Sequence, residues 1–492
     1  MPFFLKTFSD VMYILIKRQW GTSTFTSWKY TMKKNYSSQR INKVETTSDT
    51  ITGRGGLALF SRYLEKTCIL EHLESKFGFF RKSVKGLPIA LLFKQVFCFF
   101  FDKTSRNLTY FDQLKKDNGY AAAIEIDPSQ LASSHMIKRF FKPFAWWYGK
   151  TFRWVLHRMF IWRLKITKPE EIVLYLDAMV LDNDDALKRQ GVQPTYKKVK
   201  GFQGLHIIWN HKIIDALFRG GSKSGNYGNR VINMVTDLVK LIRSEYSEAA
   251  TIILRIDSGF FDEKNYAAFD DLNIAFISSG KIYPSVKDFA GNAPADNWKS
   301  CKKKKQRWTF LEFGFRCDKW KQFYRAFYTH CLYEGNQMLL EFARPDNVIL
   351  TNIGINDKVL ENCTEERKQY WLRPDTIIDS YHQCGADELV HRSLKDFGFE
   401  QLPFKRFAHN SAFYYCMLIA FFLFETFKED VTDHVIPIKS YATTLRRKLI
   451  DIAAKIVYTG GQIILKVSES TMQSLKFNKL WENCQNTPPI TI

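Results

Sequence analysis

Leu254-Arg255-Ile256-Asp257-Ser258-Gly259-Phe260 is the stretch from which the fold is read. With Thr251, Ile252 and Ile253 before it, the run is short and mostly apolar, the pattern of a buried strand. Asp257 stands at its end, and Ser258-Gly259 supplies a turn that bends the backbone away. An aspartate in that place more often caps a helix or lies in solvent, so the run alone assigns no chemistry. A second apolar run, Ile172-Val173-Leu174-Tyr175-Leu176, also ends in an aspartate, Asp177, 80 residues upstream (257 − 177). A third stretch, residues 381–395, spaces Tyr381, Cys384, Glu388 and Lys395 by three, four and seven. On a helix those steps predict one common face. Two strand-borne aspartates and a helix-borne glutamate are oxygen ligands of the kind that hard divalent cations prefer.

With these three acids on the page, the chain resembles the DDE transposases of bacterial insertion sequences, nearest the group whose catalytic domain is called DDE domain group 1. The resemblance is carried by residues 254–260, residues 381–395, Phe407-Ala408-His409-Asn410 and Thr444-Leu445-Arg446-Arg447-Lys448-Leu449. Gly53-Arg54-Gly55-Gly56-Leu57 and residues 107–113 match more weakly, so that it covers roughly residues 50–480. It implies an α/β fold: a ribonuclease-H-like catalytic core interrupted by a mainly β insertion, with a helical DNA-binding region ahead of it. It implies Asp177, Asp257 and Glu388 as the catalytic and metal-holding acids, with two Mg²⁺ ions, replaceable by Mn²⁺, bridged by Asp177. Tyr381 and Lys395 would contact the phosphate near the cleaved strand. The implied activity is phosphodiester hydrolysis followed by strand transfer at the ends of a mobile element. The implied partner is double-stranded DNA, both terminal inverted repeats and target, held by a homodimer in a synaptic complex. In one place the chain departs from the family's pattern: Cys384 stands where the family has arginine, a planar phosphate clamp that a thiol cannot replace. Two other functions fit the same core, a nuclease and a domesticated DNA-binding protein without catalysis. The intact three acids speak against the latter and Cys384 for it.

Charge points to the same partner without the resemblance. Seventy-two Lys and Arg against 50 Asp and Glu leave a net charge of +22 and a pI near 9.4 in 492 residues, which calls for a polyanion, nucleic acid before a membrane surface. Nine cysteines, without a CxxC pair, favour reduced thiols in a cytoplasm over a disulfide framework or a zinc site; a bacterial, nucleoid-associated location is expected. The longest apolar run, residues 412–424, is bounded by His409 and Glu425. At 13 residues it is too short for a bilayer and predicts a buried core helix. Residues 11–16 make a poor signal peptide.

Taken in order, residues 1–50 predict a basic, flexible arm and residues 51–170 a helical DNA-binding region, with helices expected over 57–73, 87–101, 110–116 and 138–168. The last of these carries nine Lys or Arg and no acid, with Trp146, Trp147, Trp154 and Trp162 among them. Arginines such as Arg139 and Arg153 could lie on DNA phosphates; equally, the aromatic side could be core and the basic side solvated. Residues 171–282 predict the first part of the catalytic core: strands ending at Asp177 and over 201–209 and 212–218, a helix over 229–246, the Asp257 strand, and a strand over 273–278. Asp182, Asp184 and Asp185 compete with Asp177 for the first acid, and are assigned to a solvated loop because Asp177 directly ends the apolar run. Residues 283–372 predict a β-rich insertion carrying Trp298, Lys302, Lys303, Lys304, Lys305, Arg307 and Trp308. That lysine run is either a solvated loop or, with its flanking tryptophans, a strand-separating or base-stacking element on DNA. Residues 373–485 predict the second part of the core, helical through 427 and over 440–458, with a strand over 463–467 and a tail at 486–492.

Overall fold

The Asp257 run is a strand, Thr251–Ile256, buried along its whole length. The computed structural model describes residues 41–186, 188–223, 227–303, 306–334, 337–338 and 346–491. The chain divides into residues 1–48 and 49–492. Of the first unit only residues 41–48 are described, without helix or strand; residues 1–40 of the expected arm lie outside the described residues. The second unit is a mixed α/β structure around an eleven-stranded sheet.

Successive residues of a strand face opposite sides, and here both sides are apolar and both are covered. Ile252, Leu254, Ile256 and Phe276 enter one core cluster, while Ile253, Ala275 and Ile277 enter a second. A strand buried on both faces reads as a continuous apolar run, which is why the Asp257 strand shows no alternation. At the centre Glu171–Asp182, Thr251–Ile256 and Ala275–Ser279 run parallel to one another. Lys200–Trp209 lies antiparallel beside Glu171–Asp182, and Lys212–Gly220 antiparallel beside that. The helix Arg230–Glu245 makes the crossover between the two halves, with Val231, Val235, Leu238, Val239 and Ile242 on its buried side.

The β-rich stretch expected as an insertion extends this same sheet. Asp346–Thr351 pairs antiparallel with Ala275–Ser279, followed by Tyr324–Glu334, Gln306–Phe315 and Lys299–Lys303. The pairing covers an edge whose N–H and C=O groups would otherwise face solvent unpaired.

The apolar run 412–424 lies within a longer helix, Phe407–Asp430. At 24 residues that helix is long and apolar enough to cross a membrane, unlike the 13-residue run alone, but 83% of its most apolar window is buried within the protein. It packs against Ile89–Asp102, Gly149–Thr167 and the Lys212–Gly220 strand, and a helix that is apolar all round is one enclosed all round.

Four expectations are corrected. The helix expected over 57–73 is broken at Cys68, whose φ of 56° lies in the left-handed region. The one over 138–168 is two, Ser134–Phe141 and Gly149–Thr167, since Pro143 has no N–H to give and pushes Lys142 toward leaving the helix. The end of the helix expected over 440–458 is instead a strand, Ala454–Thr459, that pairs as a hairpin with Gln462–Val467 and, on the other edge, with Thr50–Thr52. Gly460 and Gly461 at φ 55° and 73° form its two-residue loop, a backbone other residues adopt at a cost. The tail is docked: Ile490 is 2% exposed and its N–H donates to Thr67 O at 2.9 Å.

Candidate catalytic site

Parallel pairing brings the two aspartates together. The register of Glu171–Asp182 on Thr251–Ile256 ends with Leu176 opposite Ile256, so that Asp177 and Asp257 are the next residues on adjacent strands, about 4.8 Å apart in the hydrogen-bonding direction. Asp257 leaves its strand and caps the short turn Ser258–Phe260, its Oδ1 accepting from Gly259 N at 2.9 Å. Asp177 does not end its strand, which runs on to Asp182 paired only with Lys200–Trp209. It stands where the parallel neighbour departs, and one side of the strand opens there. Its Oδ1 accepts from Ala178 N at 2.6 Å. Asp182, expected in a solvated loop, is instead the last residue of the strand; it is exposed, as are Asp184 and Asp185 beyond it, and the three line a cleft of about 590 Å³ with Lys103, Arg106 and Lys395.

The third acid sits on the helix Cys384–Phe397. The side chains of residues 384–388 are outside the described part, so Glu388 and Cys384 are placed by their backbone alone. That placement is informative because of His391, one turn after Glu388 on the same face. His391 Nδ1 lies 3.4 Å from Asp177 Oδ2, so the face that carries Glu388 turns toward the first aspartate. His391 Nε2 is 2.9 Å from Nδ1 of His206, the residue directly across the sheet from Asp177. His206 Nε2 in turn meets the hydroxyl of Tyr414 on the central helix. Burial, with Lys197 and Lys395 nearby, pushes the His391 imidazole down to about 3. Burial, with His391 and Arg219, pushes His206 down as well, so both rings are neutral at ordinary pH. The sequence reading missed His391, His206 and Tyr414. The signal was a histidine three residues after Glu388, on the face already chosen for the acid.

Tyr381 is not on the same helix as Glu388. Pro374–His382 is a separate helix, and the break falls at Gln383, which corrects the single face expected for Tyr381, Cys384, Glu388 and Lys395. Tyr381 packs half-buried against the second core cluster. Lys395 Nζ lies 2.7 Å from Glu400 Oε2, one helical turn beyond His391, and stays about a third exposed.

The remaining candidates divide by what they touch. Arg153 is corrected to a structural role: it makes two bonds of 2.7 Å to Asp215, a carboxylate with no exposed surface, and His157 lies 3.1 Å from the same group. Arg139 is exposed on Ser134–Phe141. Trp308 is buried and stacks on His382 at 4.0 Å, which removes it as a freely accessible base-stacking residue. Trp298 is half-buried against His330 at 5.1 Å. Arg307 is exposed at the start of its strand; Lys302 and Lys303 lie on Lys299–Lys303, and Lys304 and Lys305 are outside the described residues. Two residues from the resemblance motifs are structural as well. Arg446 donates to the carbonyls of Phe100, Phe101 and Phe397, holding the ends of two helices. Asn410 bonds both backbone groups of Phe404.

A divalent cation suits this donor set: two carboxylates adjoin at an open sheet position, and the Glu388 face of the helix turns toward one of them. Among the described residues no three His, Cys, Asp or Glu side chains form a metal-holding group, and the Glu388 side chain is not among those described.

Comparison with known proteins gives the class. The family model for the transposase DDE domain group 1 matches residues 34–489, and the chain belongs to that family. It is therefore a DNA transposase of the DDE type, an enzyme of the polynucleotidyl transferase and nuclease class, and relatives in this class generally use divalent metal ions. No curated protein matches the chain. Among solved structures, a piggyBac transposase synaptic complex with hairpin DNA is similar at 10% identity, covering 82% of this chain and 81% of that one, with a TM-score of 0.38.

Proposed function

We propose that residues 171–282 and 373–485 form a ribonuclease-H-like core that cuts and joins DNA at the ends of an insertion sequence, with Asp177, Asp257 and Glu388 holding two Mg²⁺ ions. The observation that carries this is the register that sets Asp177 beside Asp257, with the helix of Glu388 packed against Asp177 through His391. The five longer strands between Glu171 and Ser279, the two-residue Gln193–Pro194 aside, support it too: across the sheet they run third, second, first, fourth, fifth, with only the second antiparallel to its neighbours, as in a ribonuclease-H-like core.

Cations held by these acids would supply an activated water or 3′-hydroxyl for in-line attack and stabilise the leaving oxygen. The chain's own part is to fix the carboxylates and seat the phosphate. Asp177 is held by Ala178 N and by His391, and Asp257 by Gly259 N. Lys395, about a third exposed and on the helix of His391, can exchange Glu400 for a phosphate, as a point charge. Residues 51–170 would carry DNA on the exposed Lys138, Arg139, Trp146 and Trp147, within a homodimer that pairs two terminal inverted repeats in a bacterial cytoplasm.

Incubating the protein with its own flanking DNA and Mg²⁺, then mapping cuts and joined products, tests the reading. Cuts at the element ends with strand-transfer products support it; cleavage without joining would identify a nuclease. DNA affinity should fall steeply with salt, since each phosphate contact contributes about −0.9 to the slope of log K against log salt. A slope shallower than about −3 would mean that the excess charge is not at the interface. Cys384→Arg would restore the arginine implied by the resemblance, and is expected to raise the single-turnover cleavage rate severalfold with little change in melting temperature. A rate that stays level or falls rejects the idea of a missing clamp.

A further inference from the structure

The geometry points to a function for a buried array that the transposase reading leaves unused: Tyr414, His206 and His391 form a positioning device that fixes the Asp177 carboxylate before metal or DNA arrives. The inference rests on Asp177 being a metal-holding acid.

Four elements meet here. Asp177 and His206 are direct cross-strand partners, Asp177↔His206, so their side chains stand on the same face of the sheet. His391 comes from the Cys384–Phe397 helix and Tyr414 from the central Phe407–Asp430 helix. His206 and Tyr414 are completely buried and His391 is 9% exposed. A polar array so enclosed must satisfy itself, because water cannot do so.

One arrangement of protons does this. An ionised carboxylate only accepts, so His391 must carry its proton on Nδ1, facing Asp177 Oδ2 at 3.4 Å. The Nε2 of that neutral ring is then an acceptor, 2.9 Å from Nδ1 of His206, which must donate. His206 Nε2 becomes the acceptor for the Tyr414 hydroxyl. Every proton points toward the acid. That arrangement satisfies every polar group of the array, and it ends on one carboxylate oxygen. The other oxygen is held by Ala178 N at 2.6 Å.

Packing leaves the array no slack. A Cβ on Gly204, which faces it from the next position on the same side of its strand, would stand 2.3 Å from the Tyr414 hydroxyl oxygen and 2.8 Å from His206 Nε2. Only glycine lets the tyrosine reach the ring. The helix that delivers His391 also carries Glu388 one turn earlier, so the contact fixes the height of the third acid over the first as well. Partners behind a metal ligand orient it, and their loss typically costs about 10- to 100-fold in metal affinity or activity.

The test uses the full-length protein and Mn²⁺ as the probe, with Mn²⁺ affinity measured by calorimetry in the absence of DNA, beside single-turnover cleavage, DNA affinity and melting temperature. Tyr414→Phe removes one hydroxyl and keeps the ring; Gly204→Ala displaces that hydroxyl without removing a hydrogen-bonding group. His391→Ala removes the contact itself, and His391→Gln returns an N–H donor. Expected are Mn²⁺ affinities weakened about 10- to 100-fold in His391→Ala and less in Tyr414→Phe and Gly204→Ala. DNA affinity should be unchanged, cleavage should recover at high Mn²⁺, and His391→Gln should regain part of the loss. Melting temperatures that fall while Mn²⁺ affinity stays at the wild-type value would overturn the inference and leave the array a packing feature. Asp177→Asn run alongside separates the two readings: if it keeps full Mn²⁺ affinity and cleavage, the metal site itself is misassigned, whereas if it loses both and the His391 variants lose neither, only the positioning role fails.

Discussion

Asp177→Asn, Asp257→Asn and Glu388→Gln are each expected to lower single-turnover strand cleavage by at least about a thousandfold, while DNA affinity stays within a few fold of wild type. The size follows from the chemistry, because charge stabilisation by held cations is worth several kcal/mol of barrier and each 1.4 kcal/mol is about a factor of ten. The selectivity follows from the structure. Asp177 and Asp257 lie where parallel pairing stops, past Leu176 and Ile256, so an amide of the same shape disturbs no strand bond. Relief of repulsion between adjacent carboxylates should even raise the melting temperature slightly without metal. Cleavage should need Mg²⁺ or Mn²⁺. Two of the three variants retaining cleavage, or wild-type activity in chelator, would remove these acids from the chemistry.

The second large effect is on stability. Arg153→Ala is expected to cost about 3–5 kcal/mol, read as a lower urea midpoint with an unchanged m-value, because it leaves the fully buried Asp215 without its two-pronged partner. The slope of DNA affinity against salt should not move, whereas loss of a phosphate contact would make it shallower by about 1. The pair also sets an acid limit. Burial raises the Asp215 carboxyl, but His157 and Arg153 together outweigh it and bring the group down to about 2. Its pKa in the fold is thus below that of the unfolded chain, so its contribution is fully present above the ordinary carboxylate value near 4 and is lost as pH falls toward 2. The difference corresponds to roughly 2 kcal/mol. An Asp215→Asn protein should be less stable at neutral pH and should lose less on acidification; if both proteins show the same acid limb, the ion pair does not govern it.

The surface expected to meet DNA changes once these contacts are known. Of the nine basic residues in 138–168, Arg153, Arg158 and Arg163 are held by carboxylates: Arg158 pairs with Glu245, and Arg163 bonds Glu429 at 2.9 Å and Asp430 at 2.8 Å, at the end of the central helix. The reading of this stretch as core and structure holds for those arginines, and the DNA-facing reading is left as a proposal for the residues that stay exposed. Arg139 and Lys138 remain exposed, as do Trp146 and Trp147 at 69% and 55%.

What the sequence by itself determined is what local periodicity records. Two apolar runs carrying aspartates, a helix carrying Glu388 and an excess of positive charge were legible, because burial on a strand or helix repeats every two or 3.6 residues and leaves its mark over a few positions. Tertiary structure alone decided which strands are neighbours and which polar groups are spent on one another. Nothing near Asp177 in the chain announces His206, His391 or Tyr414, and nothing near Arg153 announces Asp215. Those partners lie on other elements, brought together because an edge must be paired and a buried polar group must find its complement. For the same reason a basic, aromatic helix could be read equally as DNA surface or as core: sequence records a side chain's chemistry, and only the packed fold shows whether a phosphate or a buried carboxylate uses it.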